Sequence, residues 1–419
     1  MKARLTLVLA ATLGLAACQG DDGSPTAAPV TVSKQENLLT LVTAPPLSSR
    51  QRGALSAIRG RDGSAEVHVA RLAAEPARLL SNGAAVRMSI APGVDVTAVP
   101  EQLRQRAADD LSWGGAVRGQ DGWVQLVYME GGVTATVTVG GNSYRIEPIG
   151  EGLHAVTRID QTAFPPEHTP DNFSGALWDN DRLGARSLGT GNIGIAATST
   201  QNVLVVYTAS AASAAGNIAS KIQLAVDETN TSYANSGITI NMVRVNTSQV
   251  TYNESGRTFS QHVSALQGTT DGMMDNVHTL RNTYAADIVM LVVNDSEACG
   301  QAAAIKATAS SAFAVSYWDC ITGYYSFGHE IGHLQGARHD RYVDSSTSPY
   351  SYGHGYIPPS KGWRTVMAYG NNCANCTRVQ YWSTPLRTYP PTGEVLGTAT
   401  YEDNARVLNT TAATVAAFR

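Results

Sequence analysis

His-Glu-Ile-Gly-His-Leu-Gln-Gly-Ala-Arg-His-Asp, at residues 329–340, is the stretch of this 419-residue chain on which most of the interpretation depends. His329 and His333 stand four positions apart, so on a helix their imidazoles lie on one face, one turn apart. Gly336 can adopt a positive φ and end that helix, which brings His339 back toward the same point. Three neutral imidazoles that converge on one point suit a tetrahedral zinc ion with a fourth position kept for water.

The acid in this stretch, Glu330, is not needed as a ligand and is placed to act as the base for that water. A bare His-Glu-x-x-His pattern also occurs by chance on polar helix faces, but the added glycine and third histidine are far more restrictive. A second pattern, Thr365-Val366-Met367-Ala368-Tyr369, places Met367 28 residues beyond His339. The two patterns together predict a metal-dependent hydrolytic site.

The histidine motif followed by this methionine turn resembles the signature of metzincin metalloproteases. The resemblance implies that Met367 forms a hydrophobic floor under the metal without binding it. Asp340, directly after the third histidine, resembles reprolysins (adamalysins), and we expect it to have a structural role, as Gly336 does. The Met-x-Tyr spacing is instead similar to astacins and serralysins, in which the tyrosine steadies the oxyanion; Tyr369 could do this here or could simply pack in the turn.

The N-terminus has the features of an export signal. Lys2 and Arg4 precede an apolar run, residues 5–17, that is too short to span a bilayer. It ends Leu-Ala-Ala-Cys18, which resembles a bacterial lipobox. The resemblance implies that residues 1–18 are a lipoprotein signal, in which Cys18 is lipidated and becomes the new N-terminus. Ordinary cleavage after a small residue is the alternative. We expect an exported lipoprotein, anchored to a membrane in the periplasm or at the cell surface, or secreted after processing.

Four further cysteines all lie in the half that carries the histidine motif: Cys299, Cys320, Cys373 and Cys376. A bridge from Cys299 to Cys320 would close a loop of about twenty residues and add roughly 3 kcal/mol. Reprolysin-like sequences carry a similar bridge. Cys373 and Cys376 could form a redox pair, half of a zinc site or a local disulfide. We favour the disulfide, because neither two more ligands nor a thioredoxin-like setting is nearby.

Composition limits the partners. Hydrophobic residues make up 43% and charged residues 15% of the chain, which is typical of a globular protein, and the formal net charge is −4. The absence of a basic run argues against nucleic acid and anionic membranes as partners. We therefore expect a polypeptide substrate, membrane contact only through the N-terminal lipid, and one catalytic zinc ion. Calcium binding and oligomeric state stay open.

The N-terminal half, residues 19–163, is predicted to be a tether followed by a β-rich unit. Apolar and polar residues alternate over 66–70, 85–90, 123–128 and 133–139, and Gly-Gly pairs at 131–132 and 140–141 mark hairpin turns. A unit of this kind before a metzincin domain resembles the propeptide of reprolysin-like enzymes. A binding module that stays attached is the alternative.

A proline-rich linker, residues 164–200, follows and is predicted to contain the processing site, with Arg186 as an accessible basic residue. The propeptide contains no cysteine that could block the metal. If the precursor is latent, a carboxylate or an imidazole must block it, and Glu167, His168 and Asp171 are the candidates. The alternative is that each of them lies in a solvated linker.

Strands and helices alternate in the catalytic half, residues 201–419, which predicts an α/β (α+β) metzincin domain with a twisted, mostly parallel sheet. The zinc helix is expected over about 324–335. In metzincins the strand before it is the antiparallel edge on which substrate pairs as an added strand. We expect the segment 312–317 to take that place.

These features predict a zinc endopeptidase. Glu330 would take a proton from water as it attacks a peptide carbonyl and pass it to the leaving amine. One alternative is a surface-anchored adhesion or binding lipoprotein that retains the metzincin fold. The other is a hydrolase that acts on a non-peptide amide.

Overall fold

The structure is a computed structural model that describes residues 36–168 and 198–419. The predicted lipidation site Cys18, the latency candidate Asp171 and the basic residue Arg186 lie outside these ranges. In the described ranges, no helix combines the length and apolarity needed to cross a bilayer.

The N-terminal half is a nine-stranded closed barrel. Its strands are β1 (Asn37–Leu41), β2 (Ser64–Leu72), β3 (Val86–Ala91), β4 (Val94–Ala107), β5 (Asp110–Val117), β6 (Gly122–Met129), β7 (Gly132–Val139), β8 (Asn142–Gly150) and β9 (Leu153–Ile159). Two helices accompany them, α1 (Ser49–Arg59) and α2 (Pro76–Ser81). The predicted alternating segments fall within strands except for residue 85, which precedes β3. The Gly-Gly pairs lie at the β6–β7 and β7–β8 hairpins, with Gly132 as the first residue of β7.

The barrel closes between β1 and β3, which pair in parallel, whereas every other neighbouring pair is antiparallel. Closure removes the free edges that an open sheet of this size would expose. The strands enclose a hydrophobic core of their own, including Met88, Trp113 and Ile146, separate from the cores of the catalytic half. The barrel is thus a self-contained packing unit.

The catalytic half has seven strands and six helices within the described residues. The strands are β10 (Ser199–Thr208), β11 (Ile240–Val250), β12 (Ile288–Val293), β13 (Gly300–Ala302), β14 (Phe313–Tyr317), β15 (Trp363–Arg364) and β16 (Thr377–Arg378). The helices are α3 (Ala209–Ala215), α4 (Ile218–Ser236), α5 (Phe259–Gln267), α6 (Asn276–Thr283), α7 (Ser326–Gln335) and α8 (Asn404–Val415). The predicted boundary at residue 201 falls inside β10. An α/β half preceded by a β-rich region is confirmed.

The main sheet has the order β11-β10-β12-β14-β13, and only the last pair is antiparallel. The prediction that 312–317 is the antiparallel edge is therefore wrong: β14 is an interior strand parallel to β12, and β13 is the edge. A three-residue strand has no periodicity to detect, and a buried apolar run such as β14 does not reveal its direction.

Helix α4 lies between the two halves, and its barrel-facing side is polar. Lys221 Nζ lies 2.7 Å from Glu147 Oε1 of β8, and Ser220 Oγ lies 2.6 Å from Thr134 Oγ1 of β7. A second buried ion pair joins Arg145 of β8 to Asp319, at 2.7 Å. Polar and charged contacts dominate this interface. In this respect it resembles the interface of a transient protein complex more than the hydrophobic core of a single domain.

Candidate active site

Helix α7 carries the histidine motif through the centre of the catalytic half, and all ten of its residues are buried. It ends where predicted, because Gly336 has φ of 106° and its backbone N–H caps the helix. Gly332 faces inward, where a Cβ would meet the Trp382 ring at 2.6 Å and the Met367 sulfur at 3.0 Å. The floor of the site therefore packs directly on the helix backbone.

Three imidazoles converge beside this helix. Their Nε2 atoms lie 3.1 Å apart between His329 and His333, 3.3 Å between His329 and His339, and 2.9 Å between His333 and His339. Tetrahedral zinc with Zn–N bonds of about 2.0–2.1 Å would separate its nitrogen ligands by about 3.3 Å. The residues present thus fit a zinc ion.

Two of these histidines are held in the tautomer that a metal requires. His329 Nδ1 lies 2.9 Å from the Val366 carbonyl oxygen, and His333 Nδ1 lies 2.9 Å from that of Ala337. A donated Nδ1–H leaves the Nε2 lone pair for the metal. Burial lowers the pKa of all three ligand histidines well below the usual value, so they are neutral.

Glu330 projects from the same helix and is fully buried. Burial and the neighbouring Glu167 carboxylate raise its pKa well above the usual value. A Cβ on Gly300 would lie only 2.5 Å from Glu330 Oε1. The edge strand β13 thus passes directly over the carboxyl group expected to act as the base.

The methionine turn is tied to the end of the motif by Asp340. One oxygen of its carboxylate accepts a hydrogen bond from the Tyr369 backbone N–H at 2.8 Å, and the other accepts from the Tyr342 N–H at 3.1 Å. Met367 is fully buried against α7. The Tyr369 ring packs edge-on against His339, with 4.5 Å between ring centroids. Tyr369 therefore borders the metal position.

A fourth histidine enters the site from the linker. The ligand atoms of His168, His329, His333 and His339 all lie within 4.8 Å of one another. His168 Nδ1 is 2.6 Å from the Tyr369 hydroxyl, and its Nε2 is 3.3 Å from Glu330 Oε2. The ring thus occupies the space between the base, the tyrosine and the three ligands. The alternative of a solvated His168 is wrong, since the residue is 3% exposed.

Glu167 is likewise buried, at 2% exposure. Its Oε1 lies 3.9 Å from His329 Nδ1, and its Oε2 accepts a hydrogen bond from Arg378 Nη1 at 2.9 Å. The backbone here is held by the edge of the sheet: Cys299 N–H donates to the Pro166 carbonyl at 2.8 Å and Gly300 N–H to that of Glu167 at 2.9 Å. We refer to residues 164–168 as the linker segment.

Both predicted disulfides are present, Cys299–Cys320 and Cys373–Cys376. The first lies at the start of the edge strand, where Cys299 also contacts the linker segment. His354 supports the site from behind: its Nδ1 lies 2.8 Å from the His339 carbonyl oxygen. Sequence reasoning missed the contributions of Gly300, His354 and Arg378, because no local pattern marks them.

The sequence is similar to proteins of known class. Residues 197–383 match Reprolysin_5, described as metallo-peptidase family M12. The peptidyl-Asp metalloendopeptidase of Stenotrophomonas maltophilia (strain K279a) is 45% identical over 295 residues, which cover 68% of this chain and 68% of that protein. The chain belongs to this metallopeptidase family. The predicted resemblance to reprolysin-like metzincins is confirmed.

Two further relatives carry the same name. The protein of Xanthomonas campestris pv. campestris is 45% identical over 291 residues, covering 68% of this chain and 67% of that protein. The protein of Pseudomonas fragi is 43% identical over 194 residues, covering 46% of this chain and all of that protein. The prediction of an endopeptidase is therefore confirmed for this M12 metallopeptidase, and neither similarity favours an adhesion protein.

Proposed function

We propose that this metallopeptidase uses zinc to cleave polypeptides next to aspartate and is made as a latent precursor. The observation that carries the catalytic part is the convergence of three neutral imidazoles, 2.9–3.3 Å apart, beside a buried carboxyl group. Their number, type and spacing suit zinc with an open position. The preference for aspartate rests on the name of the relatives, peptidyl-Asp metalloendopeptidase.

Zinc, when bound by His329, His333 and His339, supplies Lewis-acid chemistry that acidifies water and polarises the scissile carbonyl. Glu330 removes the water proton and later donates it to the leaving amine. Its raised pKa, which burial causes, favours this return of the proton. The Tyr369 hydroxyl donates a hydrogen bond to the developing oxyanion. Met367 and Asp340 keep the floor and the turn in place.

Latency rests on the linker segment. The His168 ring takes the position from which a substrate carbonyl and the attacking water would have to approach Glu330, and burial lowers the pKa of His168 to about 4, so the ring is a neutral potential ligand. We propose that His168 is a fourth zinc ligand in the precursor. The polar interface between α4 and the barrel supports release of the N-terminal half once the linker is cut.

The test of catalysis uses the full chain, with and without cleavage of the linker, on a peptide library. We expect about one equivalent of zinc by elemental mass spectrometry and cleavage beside aspartate. Glu330→Gln should keep the zinc and lose at least about 1,000-fold in rate, since it removes the general base. Cleavage that survives this substitution, or that shows no dependence on zinc, would contradict the proposal.

The test of latency compares the uncut wild type with uncut His168→Ala. We expect His168→Ala to cleave peptides before any processing, and the visible spectrum of its Co²⁺-loaded form to change because one nitrogen ligand is lost. His154→Ala is the matched control, since this histidine is buried inside the barrel. Equal latency and identical spectra in His168→Ala and wild type would exclude His168 as the blocking ligand.

We also propose, from the lipobox alone, that the precursor is exported and lipidated at Cys18. Metabolic labelling with a fatty acid should mark the wild type and not Cys18→Ala. Labelling of both chains, or of neither, would contradict an anchor at this residue.

A further inference from the structure

Two buried arginines lie side by side next to the metal position. The short strands β15 and β16 flank the methionine turn, and their pairing sets Arg364 opposite Arg378. Arg378 is 2% exposed, and its guanidinium stacks over the Tyr324 ring at 4.3 Å. Like charges directly opposite each other destabilise a sheet. A neighbouring anion is therefore needed to stabilise the two buried positive charges.

The anion comes from outside the catalytic half. Arg378 Nη1 donates to Glu167 Oε2 and to the Tyr324 carbonyl, both at 2.9 Å. Burial disfavours the charged guanidinium, but Glu167, together with Tyr324 and Tyr369, more than offsets this, so the pKa of Arg378 is raised. Among the described residues of the catalytic half, no acid pairs with Arg364 or Arg378. Once the linker segment leaves, neither arginine keeps an ion-pair partner among the described residues of the catalytic half.

The position of Glu167 is that of a residue next to the bond to be cut. Its neighbour His168 lies at the metal position, and its own carbonyl is held by Gly300 of the edge strand at 2.9 Å. An extended peptide on that edge would likewise place one residue at the metal and direct the adjacent side chain toward Arg378. The linker segment thus resembles a bound acidic peptide.

We propose that Arg378 binds the acidic side chain of the substrate beside the scissile bond, and that Glu167 occupies this pocket in the precursor. The inference rests on the proposed function, because it assigns the aspartate preference to one side chain. Arg378 contacts Glu167 and makes no hydrogen bond to the three histidines or to Glu330 within the part of the chain described. It acts on specificity through this contact, and its positive charge also lies within electrostatic reach of Glu330.

The experiment measures kcat/KM for matched peptides that differ only in aspartate or asparagine next to the cut bond. All chains are full length and are activated in the same way. We expect Arg378→Met to reduce the wild-type preference for aspartate by on the order of 100-fold, mainly through KM, because the aspartate peptide loses far more rate than the asparagine peptide does. A preference that stays within about threefold of the wild-type value would overturn the inference.

Arg281→Met is the matched control. Arg281 is a buried arginine on α6 whose guanidinium donates to backbone carbonyls, including that of Ala286 at 3.0 Å. We expect its substitution to lower stability without changing the ratio of the two rates. If the wild type itself does not distinguish the two peptides, the proposed aspartate preference fails, which is a different result from unchanged selectivity in Arg378→Met.

A second variant covers the case in which Arg378→Met does not fold. The exchanged pair Glu167→Arg with Arg378→Glu keeps one cation and one anion buried together in the precursor. After activation, we expect this variant to prefer lysine over aspartate next to the cut bond. A retained preference for aspartate would overturn the inference, because a merely structural pair would not reverse the selectivity.

Discussion

Glycine at position 300 is needed because Glu330 lies against the edge strand. The ideal Cβ of any larger residue would stand 2.5 Å from Glu330 Oε1 and 2.6 Å from its Cγ. Contacts this short force one of the two groups to move. Because Glu330 is fixed on a buried helix, a side chain at position 300 and the carboxyl group would occupy the same space.

Gly300→Ala should therefore displace the Glu330 carboxyl group and lower kcat on the order of 100-fold, as small misplacements of catalytic groups do. The three histidines are not touched, so we expect zinc content to remain at wild-type level. Gly362→Ala is the control, since its Cβ would meet nothing closer than 3.7 Å. Wild-type turnover in Gly300→Ala would show that the carboxyl group tolerates the shift.

Among the individual residues of the site, those that lie close together along the chain could be predicted from the sequence. The three histidines and Glu330 fall within eleven positions, so helix geometry and a helix-ending glycine predict their convergence. The pair formed by Glu167 and Arg378 is separated by 211 positions, and no periodicity connects them. His168 was named as one of three latency candidates, and only the folded chain distinguishes it from a solvated residue.

The edge strand β13 begins beside a disulfide. Cys299, bridged to Cys320, donates its backbone N–H to Pro166, and Gly300 donates to Glu167. The bridge thus holds the element on which the linker segment lies. The Cys373–Cys376 bridge instead closes a loop of four residues between β15 and β16.

Removal of the first bridge, as Cys299→Ser with Cys320→Ser, should lower the free energy of unfolding by about 3 kcal/mol. It should also weaken latency, measured as residual cleavage by the uncut chain. The Cys373–Cys376 bridge closes a shorter loop. Its removal, as Cys373→Ser with Cys376→Ser, should lower the free energy of unfolding by about 1–2 kcal/mol and leave latency intact. Urea titrations and peptide assays on both pairs check this, and equal effects on latency would contradict the role given to Cys299.

Elements long enough to show a pattern were predicted well, and short ones were not. The alternating segments 123–128 and 133–139 were predicted as strands and lie within β6 and β7. The zinc helix begins at Ser326, two residues after the predicted start. The three residues of β13 carry no pattern, and the direction of β14 depends on its neighbours. The edge was therefore assigned to the wrong strand.

On the scale of the whole molecule, the charged groups between barrel and catalytic half set a pH dependence. Glu228 of α4 is buried there, and its carboxylate accepts from the Gly323 N–H at 3.0 Å. Burial raises its pKa to about 7, from 4.5 in the unfolded chain. Ionisation therefore opposes folding increasingly as pH rises from 4.5 to 7, and the cost is complete above that range.

Glu228→Gln keeps an acceptor for Gly323 and removes this cost. We expect the variant to match wild type at pH 4.5 and to be more stable at pH 8, by up to about 3 kcal/mol. Urea unfolding of the full chain at both pH values measures the difference, with exposed Glu101→Gln as the control. A pH-independent difference would show that Glu228 is ionised without penalty in the folded chain.

Closure of the N-terminal strands into a barrel could not be predicted from the sequence, because alternation reveals strands but not which of them pair. The parallel contact of β1 with β3 joins strands that are separated along the chain by two helices and a further strand. The half-buried alternation and the hairpin glycines still predicted the class of this region correctly.

The barrel and the linker segment are one continuous piece of chain, and this has a consequence for how the protease would be switched on. Cutting the chain after residue 168 would leave the barrel, with Glu167 and His168 attached, as a separate inhibitor bound through polar contacts. The fraction of protease bound by this inhibitor would then depend on the protein concentration. In the uncut chain, by contrast, the barrel is held at an effective concentration in the millimolar range. In a confined volume, where the concentration stays high, the cut protein would remain largely inhibited. Dilution alone would release the activity, so the point of activation is set by where the protein goes as well as by the cut.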